Sequence, residues 1–204
     1  MSIHLRPLGR GDLAAVAGLH RAAFPEAAMS RLGPDIVERY YLWLMYGPHD
    51  ADGWGAFEAR EMVGFCFSGI WRGAEAGFVR DSKVALAAAI LRRPWLVWSP
   101  FFRKRIALGF RLLSRPLRPA GGAALTPEHY GVQAIATDVR RRRHGIGRLL
   151  MANAERRARE RGFRSILLTV HAHNTTAIEF YLRLGWEKVI DNGVWRQEMR
   201  HRLD

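Results

Sequence analysis

Cysteine is almost missing from these 204 residues: Cys66 stands alone, so no intramolecular disulfide framework is available and a reducing compartment is the simplest setting. Cys66 falls in an apolar, strand-like run and reads as a small buried core residue. Long apolar runs are missing too. No stretch of about 18 uncharged apolar residues occurs, which predicts no membrane span. The start Met1-Ser-Ile-His-Leu-Arg-Pro lacks the apolar core of a secretory leader, which predicts no cleaved signal peptide. Repeats and low-complexity segments are also lacking. Acidic residues are scarce, 19 against 32 Lys and Arg, a formal net charge of +13. That balance points to acidic partners, whether a phosphorylated cofactor, an anionic membrane surface or nucleic acid, and charge alone does not choose among them. The length suits one domain over 1–204 with a substantial core.

The chain reads as alternating elements. Ile3 to Arg6 is a short strand stopped by Pro7, and Asp12 offers an N-cap to a helix with Leu13, Val16, Ala17, His20 and Phe24 on one stripe. A loop from Pro25 to Gly33 follows, then a helix from Pro34 to Gly47-Pro48. Trp54 to Ala59 and Met62 to Ile70 are strand-like, with Arg60-Glu61 as a tight hairpin. Tyr130 to Thr137 and Ser165 to Val170 are apolar strands, with a helix from Ile146 to about Arg161 between them. Thr175 to Leu184 has helix periodicity, Gly185 ends it, and Trp186 to Met199 reads as strands around Asp191-Asn-Gly193. The whole is mixed α/β.

The stretch from Ala134 to Leu150 organises the rest. An apolar strand runs into the basic, glycine-containing turn Arg142-Arg-His-Gly-Ile-Gly147, and a helix leaves it. Glycine lets a backbone approach a ligand closely, and the first N–H groups of a helix lack intrahelical partners, so anions bind such places. The spacing matches neither the dinucleotide fingerprint nor the P-loop.

Two separated pieces resemble one family. Arg142-Arg-His-Gly-Ile-Gly147 resembles the Q/R-x-x-G-x-G/A signature of the GNAT superfamily of N-acetyltransferases. Asn174-Thr-Thr-Ala-Ile-Glu-Phe-Tyr-Leu-Arg-Leu-Gly-Trp186 resembles its downstream N-x-x-A-x-x-F-Y-x-x-x-G-[FW] signature. The resemblance is dense over 130–186 and absent over 71–125. It implies a GNAT α/β fold, with a mixed central sheet in which the strands 130–137 and 165–170 splay apart to hold acetyl-CoA. It implies a pantetheine arm along the main chain of Ile135 and Thr137, and a thioester carbonyl polarised by an N–H of Ile135 or Ala136. The pyrophosphate would lie on Arg142, Arg143, His144, Gly145, Ile146, Gly147 and Arg148, with the charge of Arg140 to Arg143 adding attraction. Asn174 matches a residue that bonds the cofactor arm or a local loop. Tyr181 matches the usual general acid, since a thiolate must leave from CoA and a phenol can protonate it or stabilise its charge; the plainer reading of Tyr181 is a core aromatic at helix spacing.

The sequence departs from the pattern in two places. Val139 stands where the turn often has Pro, which costs rigidity. The strand before the turn, Tyr130-Gly-Val-Gln133, lacks the carboxylate that often serves as general base. Glu128 and His129 just upstream, Glu26 on the first loop, His171, His173 or a water relay are the candidates, and each side chain also reads as a solvated surface residue. His171 and His173 have no third ligand, so no metal is expected.

The segment 71–125 reads as a helical insertion in the domain. Val84 to Leu91 is one helix candidate, and Ser99-Pro100 begins another that runs to about Arg115 with an apolar stripe of Phe102, Ile106, Phe110 and Leu113. The segment holds eleven basic residues against Glu75 and Asp81, about +9 of the total +13. It reads either as a lid or dimer element or, over 80–115, as a contact with an anionic membrane surface through Trp95, Trp98, Phe101, Phe102 and the flanking arginines. The expected activity is acetyl transfer from acetyl-CoA to a primary amine, with an amino sugar or glycan intermediate as one acceptor class, in the cytoplasm or at the membrane periphery. A catalytically weak acetyl-CoA sensor and a surface-binding module are the alternatives. No nucleic-acid reading motif accompanies the basic residues.

Overall fold

The computed structural model describes residues 3–98, 130–141 and 143–203. Among them one sheet has the order β1-β2-β3-β4-β5-β7-β6, with β1 Ile3–Pro7, β2 Asp50–Glu58, β3 Glu61–Ile70, β4 Tyr130–Thr137, β5 Ser165–Thr169, β6 Glu187–Asp191 and β7 Val194–Arg202. Neighbours pair antiparallel except β4 and β5, which are parallel. Helices α1 (Leu13–Ala23), α2 (Ala28–Leu32), α3 (Pro34–Tyr46), α4 (Ala74–Asp81) and α5 (Lys83–Leu91) supply one core, and α6 (Ile146–Glu160) and α7 (Thr175–Arg183) the other.

Strand β3 sits between the two cores. Phe65 and Phe67 face Leu13, Val16, Tyr41 and Leu44, while Cys66 turns to Ile146, Leu150 and Met151. A strand covered on both faces must be apolar throughout, which is why Met62 to Ile70 shows almost no polar alternation. Burial of a side chain such as Phe65 contributes about 1.5–3 kcal/mol. On the second face, Arg157 of α6 and Arg161, the C-cap of that helix, bond the carboxylate of Asp52 at 3.1 and 2.9 Å, and Arg161 also reaches Asp50 at 2.9 Å. These pairs pin the far end of α6 to β2.

Several expected elements have the bounds that periodicity predicts, β4 among them, and others differ for local reasons. Asp12 does not cap α1 with its side chain: the carboxylate accepts from the N–H of Gly9 at 2.8 Å and from the Arg6 guanidinium at 2.7 and 2.8 Å. The loop 25–33 contains the short helix α2. The β2–β3 turn is Ala59-Arg60, one residue earlier than expected, with Ala59 at φ 52. Within the insertion, α5 forms as expected, whereas α4 is additional and buries Ala74 and Phe78 against α3. The expected helix from Ser99 lies outside the described residues. No helix among the described residues is long and apolar enough to cross a membrane.

One titratable group lies deep in the first core. His20, 6% exposed, holds its Nδ1 2.8 Å from the Tyr41 hydroxyl, and its Nε2 is buried without a partner. Burial pushes its pKa down from the ordinary 6.5 to about 4, so the folded protein keeps the ring neutral. The unfolded chain takes up the proton first as pH falls, so stability is full above pH 6.5 and is lost progressively toward 4. Urea midpoints should therefore drop over that window, by up to about 3 kcal/mol in total. In His20→Gln the loss from pH 7 to 5 should be much smaller, the remainder coming from His49, which burial and the nearby Arg72 also hold below its ordinary value, while Asp12, Asp138 and Glu160 lie below their ordinary carboxylate values and titrate lower. An equally steep loss in the variant would assign the acid sensitivity elsewhere.

Candidate active site

Strands β4 and β5 lie side by side only at Tyr130↔Ile166, Gly131↔Leu167 and Val132↔Leu168. Beyond Val132 they part, and the β4 edge over 133–137 is left without a strand among the described residues. A bulge occurs at the same point. The register against β3 passes from Ser68↔Val132 to Phe67↔Ala134, which leaves Gln133 unpaired, and its Nε2 donates instead to the Tyr40 hydroxyl at 3.0 Å. The extra residue reverses the alternation: Tyr130 and Val132 before it, and Ile135 after it, share the second core, while Ala134 and Ala136 turn to the first.

Main-chain directions follow from one hydrogen bond. The N–H of Asp138 donates to the Val63 carbonyl at 2.9 Å, so Asp138, Ala136 and Ala134 direct their backbone groups at β3. In an antiparallel pair the intervening residues point the other way, which aims the N–H and C=O of Ile135 and Thr137 at the gap. Of the two amides expected to face a thioester carbonyl, alternation favours Ile135 over Ala136.

The chain then turns sharply. Asp138 accepts from the Arg140 N–H at 2.9 Å with its side chain and from the Arg141 N–H at 3.0 Å with its carbonyl, closing a 3-10 turn over Val139–Arg141. Arg143 and Gly145 both have left-handed backbones, φ 66 and φ 75, and α6 starts directly afterwards. Its first main-chain bond runs from the Leu149 N–H to the Gly145 carbonyl at 3.0 Å, so the N–H groups of Ile146, Gly147 and Arg148 have no intrahelical acceptor. A Cβ on Gly147 would stand 3.1 Å from the Phe180 ring. The glycine of the first motif is thus the small position on which the aromatic of the second packs.

Helix α7 forms the opposite wall. Asn174 is its N-cap, with Oδ1 accepting from the Ala177 N–H at 3.2 Å. Tyr181 is buried between Phe180 and Trp186, with ring centroids at 5.3 and 5.8 Å. Burial first, and the neighbouring Cys66 second, raise its phenol above the ordinary value, so it is protonated at neutral pH. Cys66 itself lies beneath Ile135 in the β3–β4 register, and burial pushes its thiol up to about 12, which rules it out as a ready nucleophile.

Between these walls runs a cleft of about 1190 Å³. It brings together Ile135, Ala136, Thr137, Arg143, Gly145, Ile146, Gly147, Arg148, Asn174 and Tyr181 of the expected set. His144 does not line it. Arg142, Glu128 and His129 lie outside the described residues. Glu26 is exposed and ion-paired with Arg31, while His171 and His173 stack on each other, centroids 5.3 Å apart, and do not line the cleft. Ala23 and Phe24, at the end of α1, and Arg183 also line the cleft. The first two carry no motif that could mark them, whereas Ala177 and Phe180 are positions of the second signature.

The expected attraction from Arg140 to Arg143 needs correcting. Arg140 is committed to Asp138 at 2.8 Å and Glu61 at 3.4 Å, and Arg141 to Glu58 and to Glu61 at 2.6 Å. Among the described residues the positive charge that lines the cleft outside such carboxylate clusters is that of Arg143 and Arg148, with Arg183 4.0 Å from Glu179.

A parted parallel pair beside a helix N-terminus agrees with a family model, the acetyltransferase (GNAT) family, which matches residues 14–186. The chain belongs to the GNAT family of acetyltransferases. Among solved structures it is similar to the PaiA N-acetyltransferase of Thermoplasma acidophilum in complex with coenzyme A (TM-score 0.59, 14% identity, 99% of each chain covered). It is similar also to the ribosomal-protein-S18-alanine N-acetyltransferase of Escherichia coli (TM-score 0.59, 13% identity, 99% of this chain and 94% of that one). A third is YncA of Salmonella typhimurium with its cofactor acetyl-CoA (TM-score 0.57, 15% identity, 100% and 95% covered). No curated protein sequence matches it significantly. At these identities the likeness is one of GNAT fold, which the parallel pair and the sheet order already describe.

Proposed function

We propose that this chain transfers the acetyl group of acetyl-CoA to a primary amine. The observation that carries the reading is a single cleft joining an open main-chain edge at Ile135 and Thr137, a cradle of unpaired N–H groups from Ile146 to Arg148, and the Tyr181 phenol. The cradle suits a pyrophosphate, with Arg143, Gly145 and Arg148 around it and Arg142 and His144 adjacent in the chain. The open edge suits the amides of a pantetheine arm, and Asn174 keeps its amide donors available beside its capping role. The amine nitrogen attacks the thioester carbonyl carbon, and the oxygen gains charge against the Ile135 N–H. The tetrahedral intermediate collapses with loss of the C–S bond, and the departing thiolate is stabilised by a hydrogen bond from the Tyr181 phenol. The proton lost by the amine goes to a base for which Glu128, His129 and water are the candidates. No acyl-enzyme is needed.

Two substitutions separate binding from chemistry. Gly147→Leu places a side chain between the helix start and Phe180 and should weaken coenzyme A binding by about ten- to a hundredfold, read by calorimetry. Gly145→Ala meets open space but retains φ 75, so its effect should be smaller, about fivefold. Unchanged affinity in both would remove the pyrophosphate from this turn. Tyr181→Phe keeps the packing and loses the proton, so it should lower kcat on the order of 10²-fold with little change in KM for acetyl-CoA, in a thiol-release assay across an amine panel. Retention of wild-type kcat would take the acid role away from Tyr181.

A second reading concerns location. The described part of the insertion is apolar on both sides. Ala89, Ile90 and Leu96 pack inward, whereas Val84, Leu91, Trp95 and Trp98 recur at near-helical spacing on the outside, Leu91 79% and Trp98 85% exposed. Exposed Lys83 and Arg92 flank them. Aromatics beside cations suit an anionic membrane surface, where an amino-sugar or glycan intermediate would be met. The protein should float with anionic vesicles and not with zwitterionic ones, and Leu91→Ser/Trp95→Ser/Trp98→Ser should stay at the bottom of the gradient. Equal absence of binding by wild type and variant would end this reading.

A further inference from the structure

Glu58 and Glu61 face each other across the β2–β3 turn as Cα partners. Like charges directly opposite on adjacent strands destabilise a hairpin. Here the opposed pair is bridged by Arg141, whose two terminal nitrogens reach Glu58 and, at 2.6 Å, Oε2 of Glu61. The other oxygen of Glu61 meets Arg140 at 3.4 Å, and Arg140 closes on Asp138 at 2.8 Å. Asp138 is buried, bonded through its N–H to Val63 of β3 and through its carboxylate to the Arg140 N–H. Three carboxylates and two guanidinium groups therefore connect the tip of one hairpin to the turn that leads into α6. The carboxylate side chains of Glu58 and Glu61 do not line the cleft.

We propose that Glu58 and Glu61 are positioning residues for cofactor binding: they clip Arg140 and Arg141 to the hairpin and so fix the path of the turn that presents the N–H groups of Ile146 to Arg148. The inference rests on the proposed pyrophosphate site, and two observations favour positioning over a direct electrostatic role. First, the cluster carries more negative than positive charge, so as a field it opposes an incoming phosphate. Second, Val139 stands in a turn whose main-chain 3-10 bond runs from Arg141 to Asp138, and two left-handed positions, Arg143 and Gly145, follow it. Such a backbone has few restraints of its own, and the clip adds side-chain restraints on both residues that precede them.

The two roles predict opposite signs, which makes the test sharp. Glu61→Gln and Glu58→Gln keep shape and remove charge on surface side chains. If the clip positions the turn, each variant should raise the Kd for coenzyme A by about 3- to 10-fold, the range that partly exposed pairs joined in a network supply. Their kcat at saturating acetyl-CoA should stay near wild type. Glu61→Asp, which retains the carboxylate, should recover part of the loss, and thermal melts should confirm a folded protein throughout. Unchanged or tighter binding in both Gln variants would overturn the proposal, because removing the negative field without disturbing the turn gives that result. Wild-type protein that failed to bind coenzyme A would instead bring down the pyrophosphate site itself, so the two failures are told apart. Calorimetry with coenzyme A alone reads all of this without an acceptor.

Discussion

The parting of β4 from β5 is the constraint on which the rest depends. Two parallel strands held together for three residue pairs and then released leave main-chain donors and acceptors on one edge with no strand partner among the described residues. Unpaired backbone groups in a protein interior are costly, so such an edge persists only where water or a ligand reaches it. The surrounding packing keeps the gap open. Trp186, buried against Tyr181, and α7 wedge one side, while Ile146 and Leu150 of α6 seat against Cys66 and Val63 on the other. The bulge at Gln133 belongs to the same device, since it turns Ala136 toward the first core and leaves Ile135 as the residue whose N–H looks into the space. A glutamine suits the bulge because its side chain, thrown out of the ladder, finds the Tyr40 hydroxyl.

Charge is distributed differently from its density in the sequence. The run Arg140 to Arg143 looks like one positive patch, yet the described arginines serve two ends. Arg140 and Arg141 are paired with carboxylates that come from β2, β3 and the strand end, Arg141 at the wall of the cleft, whereas Arg143 lines the cleft outside that cluster. Neighbouring residues in a tight turn point in different directions, so equal charge does not mean equal use. The same holds for α6 and its C-cap, where Arg157 and Arg161 pair with Asp52 while Arg148, in the first turn, lines the cleft.

Much of this was legible beforehand because it is local. The bounds of β4, the start of α6 at Ile146 and the stop at Gly185 follow from apolar periodicity and turn chemistry within a few residues. The two signatures meet in space at Gly147 and Phe180, so a pattern in sequence became a contact. What was not legible is what depends on distant partners. The bridging of Glu58 and Glu61 by Arg141 joins positions some eighty residues apart, and nothing near Glu58 announces it. Helix α4 escaped notice because Gly73 and Gly77 look like a connector; Gly77 is small because the Trp43 ring lies over it, 2.6 Å from where a Cβ would stand. Asp12 looked like a cap by position and is drawn away by Arg6, whose guanidinium also lies 3.9 Å over the Phe57 ring.

The burial of Tyr181 constrains how it can act. A phenol raised above its ordinary value is a weaker acid than one in water, whereas a free thiol ionises near 8.5. In the proposed reaction, outright transfer to a fully formed thiolate is therefore uphill, and the contribution proposed for Tyr181 is a hydrogen bond to sulfur as negative charge accumulates during C–S cleavage. Such a bond strengthens as the acceptor becomes charged, so it acts on the transition state more than on bound substrate. Desolvation, which makes the phenol a poor acid, also lowers the local dielectric in which that bond operates. The packing of Phe180 and Trp186 around the ring thus serves both effects: it holds the proton on the oxygen and gives the oxygen a fixed place from which to offer it.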